Sequence, residues 1–204
     1  MFLDTIRNVY ENAWPMLAIF LSIIVIVRLV YLFTNHKRIV IHQEILDFLF
    51  LVYILILFEL LISTESASHG INLVPFKEIT RYKFMSDLFI YNVIGNIILF
   101  IPFGFFVSRY CKLKNFIYIF FMSGIISFII ERVQLRIGRS FDIDDIILNV
   151  LGGLIGYFIY IGLTKVKKHL PKFLDNNLFY GIISVVILIL VSYLFFHFIG
   201  LGWF

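Results

Sequence analysis

The chain has 204 residues, 61% hydrophobic and 15% charged, with a formal net charge of +4. Globular domains carry about a quarter charged residues, so this composition excludes a single water-facing domain and selects lipid as the solvent. The basic excess does not point to nucleic acid, because Lys and Arg sit in short gaps between apolar runs, and the single cysteine, Cys111, excludes an intrachain disulfide.

Six apolar runs follow one another, at about 14–33, 45–62, 88–107, 116–130, 145–163 and 178–199. Each is near the roughly 17–25 residues that a helix needs to cross a bilayer. The first is longer than the core of a cleaved leader, and Asp4, Arg7 and Glu11 do not make a basic start, so a retained span is expected. Short gaps predict antiparallel neighbours. The fold class is therefore all-α: a polytopic membrane bundle of about six transmembrane helices. The longest gap, Ser63 to Asp87, adds a short interfacial helix, with Pro75 where a helix can start and Phe76 and Ile79 on one side. Pro102 is expected to break the third span, with Gly95 and Gly104 flanking it. Gly152 and Gly156 form a small-xxx-small face on the fifth.

Orientation follows from the basic residues. The first, third and fifth gaps hold Lys37 and Arg38; Arg109, Lys112 and Lys114; and Lys165, Lys167, Lys168 and Lys172. The other side carries fewer over longer segments. This density places the odd gaps in the cytoplasm and both termini outside. Trp14 and Trp203 then fall at the outer interface.

Against this frame of spans the polar residues segregate. Glu59, Asn92, Asn96, Glu131, Gln134, Asp142, Asp145 and Asn149 all fall toward the outer ends of their runs. Ionisable groups at a bilayer boundary are costly and therefore mark function. One outward-facing polar cavity is expected. Glu131 and Gln134 are three apart and share a helix face, as do Asn92 and Asn96, and Asp142, Asp145 and Asn149. Asp144 points elsewhere. Asp142 or Ser140 also suits a helix cap, Glu131 and Asp145 suit ion pairs with Arg136 or Arg139, and Asn149 suits a bond across helices. No His shows metal-ligand spacing, and neither a metal nor a cofactor is expected.

Three ordered stretches carry a resemblance: INLVPFKEI (residues 71–79), NVIGNIILFIPFGFF (92–106) and ERVQLRIGRSFDIDDIILNVLGGLIGY (131–157). Together they resemble the VanZ-like membrane proteins, over about residues 48–163. The resemblance implies a multi-pass protein of the bacterial plasma membrane, with a core at residues 45–165. Residues 1–44 and 166–204 would then supply the first and last spans with their basic gaps. Members are associated with resistance to teicoplanin-type lipoglycopeptides without making altered cell-wall precursors. By motif position the resemblance marks Asn72, Pro75, Asn96, Pro102, Glu131, Gln134, Arg139, Asp142, Asp145 and Asn149.

Two mechanisms fit these residues. In the first, Arg139 with Arg136 grips the phosphate of a lipid head group, because a guanidinium makes two parallel bonds to it. Asn72, Asn96, Gln134, Asp142 and Asn149 complete the ligand-binding set. The partner is a membrane lipid or a lipid-linked cell-wall precursor, and the protein shields that precursor or excludes the lipid tail of a glycopeptide antibiotic. In the second, Glu131 and Asp145 are a catalytic acid–base pair of an intramembrane hydrolase or transferase acting on a lipid-linked substrate, with Arg139 stabilising negative charge. A transporter would need polar groups in the cytoplasmic half.

Overall fold

A computed structural model describes residues 2–35, 40–63, 70–169, 176–182 and 184–186. Helices α1 (Phe2–Thr34) and α2 (Ile41–Ser63) come first, then strand β1 (Ile71–Asn72) and helices α3 (Lys77–Arg81) and α4 (Asp87–Phe89). A π-turn at Ile90–Ile94 leads into α5 (Gly95–Cys111), followed by α6 (Phe116–Arg136), β2 (Phe141–Asp142) and α7 (Ile143–His169). The molecule is an all-α helical bundle, and among the described residues four helical stretches are long and apolar enough to cross a membrane: Ile41–Phe58, Asp87–Cys111, Phe116–Arg136 and Ile143–His169. Most of the sixth expected span lies outside the described residues, as do Trp203 and the side chains of Trp14 and Glu59.

The chain divides into two compact units. One comprises residues 1–60 and 170–204. Within it Arg28 makes a bidentate pair with Glu44, Nε to Oε2 and Nη2 to Oε1, both at 2.9 Å. The other unit, residues 61–169, holds α3 to α7, and in it α5 packs chiefly on α7 and α7 on α6.

Glycine lets α5 and α7 approach each other. A Cβ on Gly104 would strike the backbone of Gly153, and one on Gly156 would strike the carbonyl of Ile101 and the amide of Phe105. Likewise a Cβ on Gly152 would strike the Ile97 carbonyl. The expected small-residue face is thus real, and Gly104 and Gly153 extend it. Without a hydrophobic drive between helices in lipid, such close backbone contact supplies the van der Waals attraction that joins them.

Two local features differ from expectation. Pro102 does not break its span, for α5 runs through it without interruption. The irregularity lies earlier, at the π-turn, where the Gly95 amide donates to the Ile90 carbonyl five residues back. Proline is tolerated inside a span when neighbouring helices hold it, and α7 lies against both flanks of Pro102 through Gly152 and Gly156. The bundle also contains a strand pair, which helical periodicity did not announce. β1 and β2 run parallel, Ile71 opposite Phe141 and Asn72 opposite Asp142.

Candidate functional site

Where α6 turns into α7 the chain reverses through a glycine. The Arg139 amide donates to the Gln134 carbonyl at 2.9 Å and the Gly138 amide to the Leu135 carbonyl at 3.4 Å, while Gly138 sits at φ 93°. This is a Schellman end, which needs a left-handed residue and is satisfied by glycine. It also folds Arg139 back over the last turn of α6. With the Gln134 amide turned so that its nitrogen faces an acceptor and its oxygen a donor, the nitrogen donates to Glu131 Oε1 at 2.9 Å and the oxygen accepts from Arg139 Nη1 at 2.8 Å. Glu131 Oε2 accepts from the Asp142 amide at 2.8 Å. Glu131 is 1% exposed, so its carboxyl is a buried junction tying α6, the reversal and β2 together.

Asp142 then opens α7. Its Oδ1 accepts from the Asp144 amide at 2.9 Å, an N-cap bond, and from Asn72 Nδ2 at 3.0 Å. The capping reading of Asp142 and its place at the site are therefore compatible. Burial pushes the Asp142 carboxyl above the ordinary carboxylate range, opposed by these two bonds.

Asp144 is 1% exposed, and contrary to the expectation from helical spacing it lines the same cavity as Asp142 and Asp145. It meets the start of α3. Its Oδ1 accepts from the Phe76 amide at 2.5 Å, and its Oδ2 from the amides of Glu78 at 2.7 Å and Ile79 at 3.2 Å. Phe76 is held at φ 64°, a conformation that costs a bulky L-residue about 1–2 kcal/mol. Asp144 therefore fixes α3 in place. The sequence carried no signal for this role, because an acid in a first turn ordinarily serves its own helix.

Deeper in the bundle, Asn96 Nδ2 donates to Asp145 Oδ1 at 2.6 Å and Asn149 Nδ2 to Ser127 Oγ at 2.8 Å. Asn149 thus bonds across helices, from α7 to α6. Below that pair Ser123 and Ser108 are fully buried, so hydroxyls accompany the glycine seam further than the apolar sequence suggests.

These elements line an open cavity of about 420 Å³. Of the expected site residues, Asn72, Arg139, Asp142 and Asp145 line it. Lys77, Glu78, Arg81 and Tyr82 from the α3 segment line it too, with Asn92 from the π-turn and Asp144 from α7. Arg81 pairs with Glu78, Nη1 to Oε2 at 3.1 Å. Burial raises the Tyr82 hydroxyl pKa, and Glu78 raises it further. Glu131 and Gln134 are buried and reach the cavity through Asp142 and Arg139. Asn96 reaches it through Asp145. Asn149 is tied to Ser127, and Arg136 is exposed without lining the cavity. Among the described residues no three His, Cys, Asp or Glu side chains converge as a metal site would require.

The VanZ/LLP1 family model matches residues 45–165, which contain every residue of this cavity. Protein VanZ of Enterococcus faecium is 31% identical over 122 residues, covering 59% of this chain and 70% of that protein. No solved structure matches the chain. An all-α bundle with four membrane-length helices, matched by this model over more than half its length, leaves one assignment: the chain is a membrane protein and belongs to the VanZ/LLP1 family.

Proposed function

We propose that this protein binds the head group of a membrane lipid or lipid-linked cell-wall precursor at the outer face of the bacterial plasma membrane, and contributes to teicoplanin resistance by shielding that ligand. The observation that carries the reading is the cavity. Its volume of about 420 Å³ is within the range of small-ligand sites. Arg139 and Lys77 lie on its wall, and a guanidinium and an ammonium are the usual grips for phosphate. The basic-residue density described above favours the outer face for this end of the bundle. The exposed side chains of Leu73, Val74 and Phe76, between the cavity-lining Asn72 and Lys77, favour an acyl-bearing ligand over a soluble one.

Glu131 suits a positioning role better than a proton-transfer role. Both its oxygens accept bonds from protein groups, and it does not line the cavity. In this reading it orients Arg139 through Gln134.

The test is lipid binding by purified protein in neutral detergent, with phosphatidylglycerol as the probe. Arg139→Ala is expected to weaken binding roughly tenfold, the worth of one charge-assisted hydrogen-bonded contact. Unchanged binding in that variant would sink the reading. Turnover of a labelled lipid abolished by Glu131→Gln would instead establish the intramembrane enzyme.

A further inference from the structure

We propose that the two β-turns flanking α3 are anchors whose apolar tips insert into phospholipid, with Lys77 and Lys83 beside them meeting the phosphates. This anchoring is separate from the binding of a head group in the cavity.

The first turn runs from Val74 to Lys77 and is closed by the Lys77 amide on the Val74 carbonyl at 3.4 Å. The second runs from Lys83 to Ser86 and is closed by the Ser86 amide on the Lys83 carbonyl at 3.0 Å. In each, the third residue is left-handed: Phe76 at φ 64° and Met85 at φ 61°. That position ordinarily takes Gly or Asn, because other side chains are strained there. Here it carries a large apolar side chain in both turns, and both side chains are exposed. Their neighbours repeat the pattern, with Leu73 66% exposed and Phe84 76% exposed. In water such tips would combine a strained backbone with apolar surface left wet. In lipid the same side chains are buried, which offsets the strain.

What covers the turns follows from what they adjoin. Phe84 packs against Phe89 with ring centroids 5.3 Å apart. Phe89 lies in the membrane-length stretch Asp87–Cys111, and Ser86 Oγ caps the start of that stretch by accepting from the Phe89 amide at 3.2 Å. The second turn therefore sits where a span enters the bilayer. Its apolar surface continues into that of the span through Leu88 and Ile90, both exposed. The first turn is fastened to the same unit by Asp144, which accepts from the Phe76 amide. Lys77 ends the first turn and Lys83 begins the second, and both are exposed. A lysine next to an inserted apolar side chain extends its ammonium back to the phosphates, the arrangement of a membrane-boundary anchor.

The test uses the full-length protein with Cys111→Ser, which removes its single cysteine. A nitroxide would be attached at Leu73→Cys, Phe84→Cys or Lys83→Cys, and each variant reconstituted in vesicles of phosphatidylcholine and phosphatidylglycerol. Collisions with oxygen, which enters lipid, are compared with collisions with a nickel chelate, which stays in water. The ratio of oxygen to nickel collisions is expected to be several-fold higher for labels at Leu73 and Phe84 than for one at Lys83. A ratio at either turn no higher than at Lys83 overturns the proposal. Protection from both probes also overturns it, because a protein surface such as a second copy would then cover the turns. Where a labelled variant does not fold, the neighbouring Val74 or Met85 carries the label instead. The labels report without a bound head group, so failure here leaves the lipid-binding reading standing, and failure of that reading leaves the anchors standing.

Discussion

The α5–α7 pair has two ends that solve opposite problems. Around Gly104, Gly152, Gly153 and Gly156 the two backbones touch, and there is no room for a single added carbon. Toward Asn96 and Asp145 the same helices are joined by a side-chain bond, and a cavity opens beside them. The first region spends its sequence on absence of side chains, the second on polar side chains, among them Asn96 bonded to Asp145 and Asn72 to Asp142. The contrast shows how a membrane protein keeps charged groups near lipid. A tightly locked shaft fixes the helices, and the ends can then diverge enough to enclose polar groups without losing register.

Substitutions should separate the two regions. The largest effect is expected at the shaft. Gly104→Leu forces a branched side chain into the Gly153 backbone and should destabilise the protein by about 3 kcal/mol or more, read as a lower unfolding temperature in detergent. A variant as stable as the parent would show that the seam is not what joins the helices. An intermediate effect is expected from Asp144→Ala, which leaves three α3 amides without their acceptor. It should cost about 2 kcal/mol and speed hydrogen exchange at Phe76, Glu78 and Ile79 while amides in the glycine seam stay protected. Uniform loss of protection would mean that the two regions open as one. The smallest effect is expected from Gly138→Ala. A Cβ at φ 93° should cost about 1 kcal/mol, with reduced lipid affinity as Arg139 shifts from Gln134. Unaltered stability and affinity together would detach the reversal from the site.

The helical bundle and its polar end were legible in the sequence for simple reasons. Long apolar runs have few alternatives to a membrane span, and Glu131, Gln134, Asp142 and Asp145 stand out against Ile, Leu and Phe. Helical spacing set Asp144 apart from Asp145, yet both line the cavity. It did not reveal what Asp144 meets, because its partners lie at Phe76, Glu78 and Ile79, more than sixty residues earlier. The parallel pairing of β1 with β2 escaped for the same cause, since two residues per strand have no periodicity to read. Pro102 misled because local propensity was weighed without the helix packed against it. The π-turn at Ile90–Ile94 has no sequence signature, yet it sets which way Asn92 faces, and Asn92 lines the cavity. The lining contributed by Lys77, Glu78 and Tyr82 depends on where α3 docks, and α3 is docked by Asp144.

That docking has a consequence during synthesis. The amides of Phe76, Glu78 and Ile79 leave the ribosome well before the carboxylate that receives them. Until α7 has been made and inserted, the segment over the cavity has no anchor, and Phe76 has nothing to hold it in its left-handed pose. The cavity is therefore assembled last, once the span that carries Asp144 is in the membrane, and a nascent chain halted after α6 would expose an unfinished polar face to lipid.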